Sequence, residues 1–457
     1  MEIDQMLEII RNIAAFAVAI GVLVAFHEFG HFWVARRLGV KVLRYSIGFG
    51  KPLWTRRGAD GCEYVLSAIP LGGYVKMLDE REGEVPANEL HRAFNRQSPY
   101  RRFAIVAAGP LANFLIAIFF FWAVYVIGQP GLRPVVSAPA AVSAAAKAGV
   151  QGGELVTAVN GQAVATWSEL RTTLLEQVVN RQALRLQLQQ SALAGPTRQV
   201  DVSLDGIRMD PEFLFSDLGL SPYQPNIEAL LSAVEPDGAA EQVGFKAGDK
   251  LLSRDGEPIQ GWQEWAQWVR ANPGAMPLIA FERDGEVREL KPLIATIEEN
   301  GERIGRFGAR IALPEIPAEL LAEDRLSPLA AVPAAVSQTW RMSTLTLKLF
   351  ARMFTGEVSV KNVSGPIQIA EAAGFTASIG ITAFLGFLAL VSVSLGVLNL
   401  LPVPLLDGGH LLFYLVEIIK GSPVSEQVMA AGQRVGLTFL ILLMGLAFYN
   451  DLSRLIG

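Results

Sequence analysis

His27-Glu28-Phe29-Gly30-His31 is an HExxH motif set in a run that is otherwise apolar. Between Arg11 and Arg36 the only ionisable side chains are those of His27, Glu28 and His31. The run is long enough to cross a bilayer as a helix, which takes ~20 mostly apolar residues. Ionisable groups are costly in hydrocarbon, so their default meaning there is functional. On a helix, residues four apart share a face. Both imidazoles can therefore reach one Zn2+, with Glu28 beside it to handle protons.

The rest of the chain fits a membrane protein with soluble parts. Of 457 residues, 51% are hydrophobic and 18% charged, and the mean hydropathy is +0.33. That is too apolar for an ordinary soluble enzyme and too charged for a bundle of spans alone. A net charge of −5 argues against a broad nucleic-acid footprint. With Cys62 as its only cysteine, the chain has no internal disulfide and no multi-cysteine metal site. The N-terminal apolar run is too long for a signal-peptide core and follows acidic Glu2, Asp4 and Glu8, so it is read as retained.

Four segments are candidate spans. The first covers roughly 12–35; the second follows Arg102, with no charge before Arg133. The third lies between Glu371 and Asp407, and the fourth, the shortest, between Arg434 and Asp451. Residues 36–102 carry 13 Lys or Arg, which makes this loop cytoplasmic by the positive-inside rule. Both termini and the long segment from about 128 to 375 then lie on the opposite side. The first and third spans run in the same direction. His31 and Asp407, 376 positions apart, therefore arrive at the same depth on the same side.

The long segment contains a repeat with an offset of 95 residues. Gly149, Gly153 and Gly161 match Gly244, Gly248 and Gly256, and Trp167 matches Trp262. Each copy reads as an Ala-rich short helix, a Gly turn, an alternating strand, an Asn-Gly or Asp-Gly hairpin turn and a Trp-led helix. The pattern resembles the PDZ domain in the circularly permuted form of bacterial proteases. Such units either offer a groove for strand addition or only supply bulk and spacing. From Ser327 a helical pattern places Val332, Val336, Trp340, Leu347 and Phe350 near one face. It lies on the membrane surface or packs against its neighbours.

The expected fold is a multi-pass α-helical membrane protein with four spans and two α+β PDZ-like domains in the extracytoplasmic loop. A first transmembrane helix occupies 1–36, a membrane-associated β-rich cytoplasmic loop 37–102 and a second transmembrane helix 103–127. PDZ-like domains occupy 128–221 and 222–315, and an amphipathic helical linker 316–370. A third transmembrane region ends the pattern at 371–410, followed by a fourth helix at 427–452.

Catalytic zinc takes three protein ligands plus a water. His27 and His31 supply two. Asp407 ends an uncharged run of 35 residues and is the leading candidate for the third; His410 comes next, then Glu417. His91 sits in a charged stretch and reads as a surface residue. Glu28 would take a proton from the attacking water and pass it to the leaving amine. The Asn399 amide either holds the substrate backbone or the developing oxyanion, or caps a helix end. Pro402 and Pro404 interrupt the third span, leaving unpaired backbone beside the site with which an extended substrate can pair. A transmembrane helix must unwind before it can be cut. Residues 42–78, rich in strand and Gly-turn signals, are the candidate edge strand to hold it open.

Taken together these residues resemble the site-2 protease family of intramembrane zinc metalloproteases, over essentially the whole chain. HEFGH matches the family HExxH, Leu406-Asp407-Gly408 its LDG motif, and Asn399, Pro402 and Pro404 the NxxPxP element before it. Ala108-Gly109-Pro110-Leu111-Ala112-Asn113 matches an element of the second span. The resemblance implies zinc ligands His27, His31 and Asp407, base Glu28, and a substrate-binding Asn399. It implies a bacterial inner-membrane enzyme with termini and PDZ units in the periplasm and the active site near the cytoplasmic side. The implied substrate is the transmembrane segment of an anti-sigma factor, cut in the envelope stress response after a first protease has removed its periplasmic part. Signal-peptide remnants are a further substrate class, and the PDZ pair a size filter. Two rivals remain. A non-catalytic scaffold has no need of Glu28, and a metal transporter wants several intramembrane ligands along a pathway.

Overall fold

The HExxH run forms part of one unbroken helix, α1 (Glu2–Arg37). It contains no proline, and Arg36 and Arg37 in its last turn suit the negative end of the helix dipole. Gly39, at φ +85°, ends it. The structure, a computed structural model, describes residues 2–456 other than 192–194, 209, 212, 224–226, 237, 300–301 and 312–316. The expected boundary at 315/316 lies outside the described residues.

Next comes an antiparallel pair, β1 (Val42–Arg57) and β2 (Glu63–Met77), each of which doubles back on itself. Arg44 pairs with both Lys76 and Glu63, and Arg56 pairs with Tyr64. The result is a four-segment sheet in the order 73–77, 42–47, 63–67, 52–57. Gly48, at φ +89°, allows the fold-back in β1. Tyr45 of this sheet donates to the Ala25 carbonyl of α1 at 2.7 Å. In the loop that follows, Arg96 and the Asn95 amide hold the Glu80 carboxyl down to about 2.

Helix α2 (Pro99–Ile127) begins with proline at its first position, where no amide hydrogen is missed. Beyond it β3 (Gln129–Leu132) pairs antiparallel with Leu321–Asp324, so the chain leaves and returns to the membrane side by side.

Two units of the same topology lie between. The first has α3 (Ala144–Lys147), β4 (Leu155–Val159), β5 (Gln162–Ala163), α4 (Trp167–Val179), β6 (Leu184–Gln189), β7 (Thr197–Val202) and α5 (Leu214–Leu218). The second has β8 (Leu231–Val234), α6 (Ala239–Val243), β9 (Lys250–Arg254), β10 (Glu257–Pro258), α7 (Trp262–Ala271), β11 (Ile279–Arg283) and β12 (Glu286–Leu290). Their sheets run β5-β4-β6-β7 and β10-β9-β11-β12. Each hairpin turn holds a positive-φ residue, Asn160 (+50°) or Asp255 (+51°). The side chains of these two accept from Arg185 N and Leu278 N, both at 2.8 Å. Each unit also buries an acid paired with arginine, Glu154 with Arg198 and Asp249 with Arg283. Each has its own apolar core, one around Leu170, Leu174 and Leu186, the other around Trp265, Phe281 and Phe307.

Helix α8 (Pro328–Phe354) returns to the membrane. Ala335, Met342 and Leu345 pack it against α2 and later spans. The bulky residues singled out in the sequence, Val332, Val336, Trp340 and Leu347, point outward. Small Ala331 and Ala335 allow the close approach, and the bulky stripe is left exposed. The opposite flank holds the first unit: Arg341 donates to Glu176 and Thr173, both at 3.2 Å, and Lys348 to Asn180 at 2.6 Å.

The third apolar region is broken, not one helix over 371–410. Gly380, at φ +141°, separates α9 (Pro366–Ile379) from α10 (Ile381–Leu400). A proline-containing loop then leads to α11 (Asp407–Lys420), and α12 (Glu426–Ile456) closes the chain. Asp451 of α12 accepts from the amides of Gly365 and Ile367, capping the start of α9. Among the described residues, four helical segments are long and apolar enough to cross a membrane: Met6–Arg37, Pro99–Ile127, Ile381–Leu400 and Glu426–Arg454. Leu23, Ala117, Phe121, Ala389 and Val393 form the core that joins α1, α2 and α10.

Candidate metal centre

His27 and His31 lie one turn apart on the face of α1 that packs against α2. Gly30 permits that packing, since a Cβ there would run into the Ala108 carbonyl. Gly109 of α2 faces the two imidazoles, and a Cβ on it would overlap His31 Nε2 and His27 Cε1. The site thus occupies a space made by two glycines, one on each helix.

Asp407 reaches the same point from the opposite end of the sequence. The loop before it turns through Leu405, whose φ of +97° is rare for a side-chain-bearing residue. Gly408 and Gly409 press the first turn of α11 onto this loop, where a Cβ would meet the Leu401 and Val403 carbonyls. Asp407 is therefore held by packing of the backbone around it.

Three atoms converge. His27 Nε2 and His31 Nε2 are 3.2 Å apart, and Asp407 Oδ2 lies 3.2 Å from the first and 3.4 Å from the second. Tetrahedral zinc with bonds of ~2.05 Å spaces its ligand atoms about 3.3 Å apart, so the triangle has the size the ion requires. His31 Nδ1 donates to the Ile105 carbonyl at 2.9 Å, which leaves the Nε2 lone pair directed into the triangle. Asp407 Oδ2 is buried with no hydrogen-bond donor aimed at it. Lone pairs gathered this way repel unless a cation sits among them. These are the only three His, Cys, Asp or Glu side chains grouped at metal-ligand spacing among the described residues.

Each expected site residue has a definite place. Glu28 follows His27 on α1, and Gly73 of β2 packs on it, so that a Cβ there would stand 3.0 Å from Glu28 Cγ. The edge segment 73–77 of the hairpin thus runs beside the candidate base. Asn399 sits half-buried in the last turn of α10, eight positions before Asp407, with Pro402 and Pro404 in the intervening loop. His410 lies a turn beyond Asp407 and does not join the converging group. Glu417 is committed elsewhere, accepting from Arg102 at 2.7 Å. Two residues have parts that sequence reasoning missed, Gly109 and Asn113. The only signal was their place in the Ala108–Asn113 element, and nothing in one sequence links it to the imidazoles.

An HExxH helix that meets a distant carboxylate, with a glutamate beside the meeting point that is not one of the converging donors, is the donor set of a zinc peptidase, here among membrane-length helices. The chain belongs to peptidase family M50, the site-2 protease family, whose model matches residues 15–443. It is a membrane zinc metalloprotease. It is 44% identical over 454 residues to the regulator of sigma-E protease RseP of Escherichia coli (strain K12), covering 98% of this chain and all of the relative. It is 42% identical over 458 residues to protease RseP of Yersinia pestis, with the same coverage. A putative zinc metalloprotease of Vibrio cholerae (serotype O1) is 40% identical over 453 residues, again with 98% of this chain and all of the relative covered.

Proposed function

We propose that this enzyme hydrolyses peptide bonds inside the transmembrane segments of single-pass membrane proteins already shortened by another protease. The observation that carries the proposal is the triangle of His27, His31 and Asp407 donors, with edges of 3.2 to 3.4 Å, set among helices of membrane-spanning length. His31 is six residues, or about 9 Å of helix, from Arg37 at the end of α1, a spacing that supports chemistry inside the bilayer near its cytoplasmic face.

His27, His31 and Asp407 hold the zinc, which supplies Lewis-acid activation of water when bound. Glu28 accepts the proton of the attacking water and delivers it to the amine that leaves. The substrate lies unwound between two stretches of backbone, the edge segment 73–77 beside Glu28 and the Pro402–Pro404 loop before Asp407. Prolines 402 and 404 keep that loop out of helix, and although its Val403 carbonyl accepts from Leu406 N at 3.0 Å, the non-helical backbone there would offer pairing to an extended chain. Asn399 holds the substrate backbone through its amide. Main-chain pairing gives affinity for any unwound segment, which suits substrates that share little sequence.

A role in sigma-E regulation is in keeping with the name of the Escherichia coli relative; the substrate class we read for it is an anti-sigma factor, with remnant signal peptides as a second. The basic loop 36–102 faces the cytoplasm, and the two repeated units, read as PDZ-like domains, face the periplasm with both termini. There they act as a size filter. The test is cleavage in reconstituted membranes of one anti-sigma factor in two forms, intact and stripped of its extracytoplasmic domain. Cutting within the span of the stripped form alone supports the proposal. Cutting of both forms at a bond outside the span contradicts it.

A further inference from the structure

Helix α2 presents Ile105, Gly109 and Asn113 to the two imidazoles, at a spacing of four that keeps them on one face. Ile105 takes the proton of His31 through its carbonyl, and Gly109 provides room. Asn113 is fully buried, with its side-chain amide 3.1 Å from His27 Nδ1. We infer that Asn113 is a positioning residue that keeps the His27 proton on Nδ1 and so presents Nε2 as a metal ligand. This rests on the metal reading of the site.

The amide has two possible orientations, told apart only by their partners. With its nitrogen toward Nδ1, Asn113 Oδ1 is buried and has no donor. That arrangement also forces the imidazole proton onto Nε2, into the centre of the triangle 3.2 Å from His31 Nε2. With its carbonyl toward Nδ1, the amide accepts the Nδ1 proton and the Nε2 lone pair is free. The second arrangement treats His27 as the Ile105 carbonyl treats His31. Ligating imidazoles regularly donate their other nitrogen to an oxygen in this way. The backbone of Asn113 is itself fixed. Ser392, buried on α10, donates to the Asn113 carbonyl at 2.8 Å. The residue that orients the first ligand is thereby tied to the helix leading to the third. Because Asn113 is fully buried, it has no surface with which to touch a substrate.

The experiment compares zinc affinity of the full-length protein in detergent, by chelator competition, for wild type, Asn113→Asp, Asn113→Leu and His31→Ala. Thermal unfolding of the metal-free forms checks the fold, and the visible spectrum of the cobalt-substituted forms checks ligand geometry. Asn113→Asp keeps an acceptor and is expected to bind at least as tightly as wild type with the same cobalt spectrum. Asn113→Leu removes the acceptor and is expected to lose about 10- to 100-fold in affinity. If the leucine variant does not fold, Asn113→Ala takes its place with the same expectation. Wild-type affinity and spectrum in Asn113→Leu would overturn the inference while leaving the metal site intact. Equal losses in the Asp and Leu variants would overturn it as well, since packing alone would then explain them. Wild type binding no more zinc than His31→Ala would overturn the metal reading and this inference with it.

Discussion

At the scale of single residues, the site depends on where side chains are missing as much as on where they are present. A methyl group on Gly109 would occupy the space of both imidazoles. Gly109→Ala is therefore predicted to lower zinc affinity and proteolysis together, measured by zinc content and substrate cleavage. Unchanged zinc content would show that α2 gives way. The HExxH pair and the candidate base Glu28 were legible in the sequence because they sit within five residues in a run with no other charge. Asp407 was legible because it ends 35 uncharged residues. Asn113 and Gly109 were not, since their meaning is a distance between two helices.

At the scale of elements, the loop between α10 and α11 is strained where it meets the site. Leu405, at φ +97°, costs on the order of 1–3 kcal/mol, held in place by the close packing of Gly408 and Gly409. Gly408→Ala would push the first turn of α11 off the loop. It is predicted to reduce cleavage at least tenfold, a barrier change of about 1.4 kcal/mol, with far-UV circular dichroism unchanged. The break at Pro402 and Pro404 could be read from proline alone, but that at Gly380 could not, since isolated glycines are common in apolar helices. In the loop between α1 and α2, Glu80 is held down to about 2 by Arg96 and Asn95. A carboxyl depressed on folding stabilises above its ordinary value, and that contribution is lost as pH falls through about 2. The order of residues 79–97, followed by hydrogen exchange corrected for intrinsic rate, should therefore be the same at pH 5 and pH 7. Loosening at pH 5 would show that the tie is weaker than its geometry.

At the scale of the molecule, the first repeated unit is tied to α8, which packs among the spans. Arg341 reaches Glu176 and Thr173, Asp210 accepts from Asn362 at 3.0 Å, and Glu357 pairs with both Arg181 and Arg352. Arg341→Glu sets two acids against each other and is predicted to speed proteolytic nicking between the first unit and α8. Unchanged nicking would assign the docking to the apolar contacts. The repeat was legible from its glycines and tryptophans. The docking was one of two readings the stripe of α8 allowed, membrane face or packing against the repeated units and spans; the side that binds the unit is its polar flank, which the stripe did not point to.

The central proposal is that His27, His31 and Asp407 would hold a zinc ion and Glu28 would act as base in cutting a peptide bond within the membrane. The most direct measurement is cleavage of a tagged, pre-shortened transmembrane substrate by wild type, Glu28→Gln and Asp407→Asn, with zinc content measured on each protein. Wild type should cut, and Glu28→Gln should retain zinc while losing cleavage by about 10²- to 10⁴-fold. Asp407→Asn should lose both. Equal cutting by all three would contradict the assignment.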